Sequence, residues 1–239
     1  MSMANLHLLL WPLLIYGVFA NVEKTIFVAP AAEPPPKDAS IDSLLLTRLS
    51  EQHPFARTFL NASFPTADSS KGVETWILLE GIRPQRRYEV RICWLATQPT
   101  SFELYTHAVD KVFATPDLLT SLSAYSYTRH EQLNANEQQS LYLHKTDPIT
   151  TDSTFLFLQV FAAADYFSLN ETLMAAVPPV AVDVILDPYV FNIFPKSLQP
   201  SGLYLLLVAI GAWFLSGSIS RLLAGGPIGQ PGEDRKKAK

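Results

Sequence analysis

With one cysteine, Cys93, among 239 residues, the chain can form no intramolecular disulfide. Cys93 falls inside an alternating apolar run, which assigns it to a strand as a small buried hydrophobe rather than a reactive thiol. A lone thiol also rules out zinc sites built from cysteine pairs. The five histidines (His7, His53, His107, His130, His144) form no H-x-x-x-H or H-E-x-x-H pair. Glycine is scarce, at 10 residues, and there is no G-x-S-x-G elbow, P-loop or glycine-rich dinucleotide turn. Net charge is −4 and basic residues cluster only in the final stretch, so a nucleic-acid footprint is missing. Neither a catalytic constellation nor a cofactor or metal motif is read from the sequence.

What the chain does have is two long apolar runs. Leu8 to Phe19 is about a dozen residues, too short for a bilayer, which needs roughly 20. It closes on Val18-Phe19-Ala20, so residues 1–20 are expected to be a signal peptide and Asn21 the mature N-terminus, although no Lys or Arg precedes the run. Leu203 to Ile219 carries no charge, and residues 203–220 are expected to form one transmembrane helix. Arg221 follows it directly, and Arg235, Lys236, Lys237 and Lys239 lie beyond, whereas only Lys196 is close on the other side. The positive-inside bias makes residues 221–239 a cytosolic basic tail and the protein a single-pass type I membrane protein. Lys236 and Lys237 stand at the fourth and third positions from the C-terminus. This spacing resembles the dilysine retrieval signal, which implies recognition by the COPI coat and residence in the endoplasmic reticulum (ER) membrane.

Between the two runs, residues 21–200 make one luminal domain of roughly 180 residues, an ordinary single-domain size. Two N-x-S/T sequons, at Asn61 and Asn170, are candidate glycosylation sites consistent with a luminal position. Strands are expected at Val22–Val28, Thr75–Leu79, Tyr88–Trp94, Ser101–His107, Leu141–His144, Thr154–Ala162 and Val180–Leu186, from β-branched and aromatic content and period-two alternation. Phe155 to Ala164 is almost continuously apolar and reads as a central strand. A helix is expected at Pro116–Tyr125, and Pro178-Pro179 forbids a second membrane helix across Leu173 to Leu186. Ile82-x-Pro84-x-x-x-Tyr88-x-Val90-x-Ile92 resembles the corner of immunoglobulin-like and fibronectin type III sandwiches, in which a Tyr hydroxyl bonds to backbone upstream. The expected fold is therefore all-β, an immunoglobulin-like or fibronectin III-like sandwich with Pro84 and Tyr88 at a structural corner, followed by the membrane helix.

Three carboxylates are candidates for glycoside chemistry, Asp183 and Asp187 as the pair and Glu89 as a third. Asp183 and Asp187 lie four residues apart on one strand face, and Glu89 lies on another strand. The weightier reading makes Asp183 and Asp187 solvated strand residues. Arg86-Arg87 likewise reads as a solvated turn before it reads as an anion site.

Three blocks carry a family resemblance: Asn21-Val22-Glu23-Lys24-Thr25-Ile26-Phe27, the stretch from Tyr88 to Thr100, and Asp183-Val184-Ile185-Leu186-Asp187-Pro188-Tyr189. The chain resembles the fungal co-activator, or accessory subunit, of GPI-mannosyltransferase II. That resemblance implies a non-catalytic subunit that binds the polytopic ER mannosyltransferase adding the second mannose to the GPI-anchor precursor. Small residues at Ala212, Ser216 and Ser220 recur every fourth position and fit a partner-helix contact. The alternatives are an ER–Golgi cargo or sorting receptor, a luminal carbohydrate-active enzyme, and a subunit of another ER glycolipid or transamidase complex.

Overall fold

The computed structural model describes residues 21–31, 41–143 and 154–224. The expected signal peptide, most of the Pro-rich segment after Pro30, His144, and Lys236 and Lys237 lie outside them. The chain divides into two units, Met1–Pro195 and Lys196–Lys239.

In the first unit, β1 (Val22–Val28), β5 (Arg87–Trp94), β8 (Val180–Val190) and β3 (Phe55–Leu60) lie side by side in that order as antiparallel neighbours. The short β9 (Phe194–Pro195) folds back on the end of β8. A second sheet has the order β2 (Thr47–Leu49), β4 (Val73–Ile82), β7 (Thr154–Ala164), β6 (Thr100–Ala108). Its β2–β4 pair is parallel and its other pairs are antiparallel. The two inner faces share one core, with Tyr88, Val90, Ile92, Val182, Val184 and Leu186 from the first sheet. Ile77, Leu79, Leu156, Leu158, Val160 and Phe102 come from the second. Burying each aliphatic side chain of this kind contributes about 1.5–3 kcal/mol before entropy is counted.

Strand β7 is almost continuously apolar because both of its faces are covered, and its buried Gln159 is bonded to His107 and Glu74. Leu156, Leu158 and Val160 face the first sheet. Phe155 and Phe157 join Trp76, Leu78, Val112 and Leu122 in a second core beneath helices α1 (Val109–Ala114) and α2 (Pro116–Gln132). Pro116 opens α2 at its first turn, where a missing N–H costs nothing. The helix runs seven residues past the expected Tyr125, where Ser126 is buried and Arg129 Nε donates to the Leu45 carbonyl at 3.2 Å. The unit is thus mostly β-sheet with a helical layer on one outer face.

One expected strand is overturned. Leu141–Leu143 form the last turn of helix α3 (Ala135–Leu143). The segment preceding them carries a capping box: Glu137 N–H donates to Asn134 Oδ1 at 2.9 Å, and Asn134 N–H donates to the Glu137 carboxylate at 2.9 Å. That cap, followed by Gln138, Gln139 and Leu141, favours helix over the short apolar triplet read as a strand. β2, β3 and the short helix α4 (Glu171–Ala175) were not expected. Gly72 is one glycine whose identity is required. Its φ is +80°, and a Cβ there would lie 2.1 Å from the Ala162 carbonyl oxygen.

The second unit is a 3-10 turn, Lys196–Leu198, leading into helix α5 (Gln199–Ala224). At 1.5 Å per residue its 26 residues reach about 39 Å, against a hydrocarbon core of about 30 Å. Mean hydropathy over the apolar window is 1.9, long and apolar enough to cross a membrane. The helix exceeds the expected 203–220 at both ends. Pro200 is accepted in its first turn, and Arg221 falls in its last, where a cation suits the dipole.

Candidate functional site

The candidate carboxylates all lie on the outer face of the first sheet, as period-two alternation requires, but they do different things there. Asp183 stands opposite Arg57 in the β3–β8 register. Arg57 Nε and Nη2 donate to its two oxygens at 2.7 and 2.8 Å, a bidentate clamp on the surface. The hydrogen bond from Arg57 holds the Asp183 carboxyl below the ordinary carboxylate range. Its folded-state pKa is therefore depressed, so the stabilisation it gives is present above the unfolded value near 3.9 and is lost as pH falls through the lower folded value. Asp183→Asn is expected to lower stability at neutral pH. In denaturant titrations across pH, its gap to the parent should be full above about pH 5 and should close at lower pH.

Asp187 is buried, and it faces Glu89, also buried, directly across the β5–β8 register. Arg91 bridges the two, with Nη1 3.5 Å from Glu89 and Nη2 3.5 Å from Asp187. Lys24 approaches Glu89 at 3.4 Å from β1, and the Tyr189 hydroxyl donates to the same carboxylate at 3.4 Å. Two anions and two cations thus tie three strands together. The solvated-strand reading fails for Asp187, which is buried, whereas Asp183 stays at the surface in the Arg57 clamp. Four residues of strand separate Asp183 from Asp187 by about 13 Å, beyond the roughly 5–9.5 Å of glycosidase pairs. Asp183 and Asp187 therefore cannot act on one glycosidic bond.

The corner is built more tightly. Gly81 (φ +63°) and Gln85 (φ +59°) turn the chain from β4 into β5. Tyr88, fully buried and stacked on Phe27, accepts a hydrogen bond from Arg83 N–H at 2.9 Å and donates one to Glu51. Burial, and next the hydrogen bond to Glu51, push the Tyr88 phenol well above its ordinary pKa. Arg86 Nη1 reaches both Glu51 oxygens at 3.0 and 3.1 Å, and its Nε donates to the Tyr189 carbonyl at 3.2 Å. Arg86 is therefore not a solvated turn residue. It locks the corner to the approach of β3 and to the end of β8. Pro84 sits half-buried within this turn.

Cys93 differs from its expected place. It lies half-buried on the outer face, in register with Val22 and Asp183, and not in the core. Burial raises its thiol pKa. Among the described residues no cluster of His, Cys, Asp or Glu could hold a metal ion.

Both sequon asparagines are exposed. Asn170 caps α4, its Oδ1 accepting from Thr172 N–H at 3.0 Å and from the Thr172 hydroxyl at 2.6 Å. Asn61 borders a cleft of about 410 Å³ between α2, β3 and β4, lined also by Glu74, Ser121 and Arg129. Ala212, Ser216 and Ser220 lie on α5, all three exposed.

Missed from sequence were Glu51, Arg57 and Tyr189, the partners that give Tyr88, Asp183 and Glu89 their roles. Each stands on a distant segment, with no local spacing to mark it. No protein-family model, no curated protein and no solved structure matches this chain.

Proposed function

We propose that this chain is a non-catalytic accessory subunit of the polytopic ER mannosyltransferase that adds the second mannose to the GPI-anchor precursor. In this reading it is a type I protein of the ER membrane with its two-sheet unit in the lumen. The observation that carries the proposal is α5, a helix of membrane-spanning length with its whole described surface open and a row of small residues along it. In a bilayer, close helix packing rather than hydrophobic exclusion drives association, and small residues let backbones approach. The resemblance of three sequence blocks to the fungal co-activator supplies the enzyme's identity. The exposed sequons support a luminal domain. The immunoglobulin-like kinship of the two sheets belongs to the same proposal and rests on the Pro84–Tyr88 corner. The parallel β2–β4 pair departs from the wholly antiparallel sheets of that fold.

The test is a mild-detergent pull-down of the tagged full chain from its host. A stoichiometric mannosyltransferase, together with accumulation of a one-mannose GPI precursor on depletion, supports the proposal. Recovery of COPI coat and cargo alone would favour a trafficking receptor, and a different polytopic complex would reassign the subunit. Replacing Ala212 and Ser216 by Leu is expected to cut recovered enzyme by roughly tenfold, the equivalent of one or two kcal/mol of helix packing. Unchanged recovery would remove α5 from the contact.

A further inference from the structure

The turn between β8 and β9 is built in a way the accessory-subunit reading does not use. Ile193 N–H donates to the Val190 carbonyl at 3.0 Å and closes it. Phe191 and Asn192 both have positive φ, 52° and 59°. Asn tolerates that conformation, whereas Phe adopts it rarely. Yet Phe191 is 86% exposed and Ile193 72% exposed, so the described residues leave most of these two side chains uncovered. The turn is nonetheless held by two hydrogen bonds of Asn192. Arg87 N–H donates to Asn192 Oδ1 at 2.9 Å, and Asn192 Nδ2 donates to the Gln85 carbonyl at 3.1 Å. This latches the apolar tip to the β4–β5 corner, which carries two exposed guanidiniums. Arg83 reaches Glu51 only at 3.7 Å, and Arg87 lies over the Tyr189 ring at 5.7 Å. Arg86, bound to Glu51, is not among them.

From these observations we infer that this turn seats the domain on the bilayer that holds α5, with Phe191 and Ile193 entering the headgroup region and Arg83 and Arg87 meeting lipid phosphates. The occupant follows from chain continuity. Ile193 precedes Gln199, the first residue of α5, by six positions, at most about 20 Å of extended chain. An apolar tip flanked by arginines matches the boundary between acyl chains and phosphates. The other end of β8 lies about 33 Å away along the strand and bears a second exposed loop, with Phe167 and Leu169. That loop serves as an internal control. The inference rests on α5 being a membrane span and does not depend on which enzyme is the partner.

The test uses the full chain carrying Cys93→Ser and one new cysteine, in phosphatidylcholine vesicles sorted for outward-facing domains. Phe191→Cys, Ile193→Cys, Phe167→Cys or Leu207→Cys is labelled with an environment-sensitive fluorophore. Quenching by nitroxide lipids is then compared with quenching by aqueous iodide. Labels at 191 and 193 are expected about 5–10 Å into the headgroup boundary, with the label at 167 in water and that at 207 deep in lipid. If 191 and 193 are as open to iodide as 167 while 207 is lipid-quenched, the seating is wrong and the span stands. Iodide access at 207 removes the span and the seating together. Lipid quenching at 167 equal to that at 191 reports adsorption without orientation and also overturns the inference. If Phe191→Cys does not fold, Ile193→Cys decides alone.

Discussion

Replacing Arg48 by methionine is expected to destabilise the two-sheet unit by about 3–5 kcal/mol, a large part of the 5–15 kcal/mol typical of a domain. Arg48 sits on β2, its side chain only 6% exposed, and its Nη1 donates to Glu80 at 2.9 Å. Glu80 is itself 5% exposed on β4. The other terminal nitrogen donates to Asp42 at 2.7 Å, fastening the 3-10 turn Ile41–Leu44 above the second core. Removing the arginine leaves the Glu80 carboxylate in an apolar layer without its counter-charge, and that desolvation dominates the cost. Hydrophobic replacement of both partners avoids it. The double variant Arg48→Met, Glu80→Leu should therefore recover most of the loss, giving a coupling of several kcal/mol in a denaturation cycle on the detergent-solubilised chain. Additive effects of the two substitutions would show that the pair is not acting as a unit.

Tyr88→Ala is expected to cost about 3–5 kcal/mol, as for other buried aromatics reduced to a methyl. Tyr88→Phe separates the two contributions. The ring still stacks on Phe27 at 5.8 Å, but Arg83 N–H and Glu51 lose the hydroxyl that joined them. A hydrogen bond to a charged group contributes about 1.5–3 kcal/mol, so Tyr88→Phe should show that loss alone. The corner links the start of β5 to Glu51 and, through Arg86, to the end of β8. Local unfolding should appear first there, as faster amide exchange at Arg83 and along β9. Equal exchange in parent and variant would reduce Tyr88 to a core filler.

Much of the scaffold was legible where one physical signal acts locally. The β-branched run Val22–Val28 and the alternation from Tyr88 to Trp94 yielded strands at those positions. The uncharged stretch around Leu203–Ile219 yielded the membrane-length helix, and its true ends differ because Pro200 and Arg221 are tolerated in terminal turns. β3 was not legible. Its inward residues are the modest Ala56, Thr58 and Leu60, and its large Phe55 and Phe59 point outward, reversing the usual pattern of an edge strand. Leu141–Leu143 misled because a short apolar triplet carries no period, whereas the Asn134–Glu137 cap upstream does define a helix.

The sequence by itself determined that Asp183, Asp187 and Glu89 would lie on the polar side of their strands, because alternation is a local property of extended backbone. It also determined that the chain carries a single apolar segment of spanning length in its C-terminal part. Only the tertiary structure decided that Asp183 is clamped by Arg57, 126 positions away, while Asp187 and Glu89 are buried around Arg91. Strand order and register across sheets set those meetings, and they depend on which faces bury the most apolar surface together. The same holds at the β8–β9 turn, where Asn192, reaching back to Gln85 and Arg87, brings an apolar tip and two arginines into one hydrogen-bonded corner.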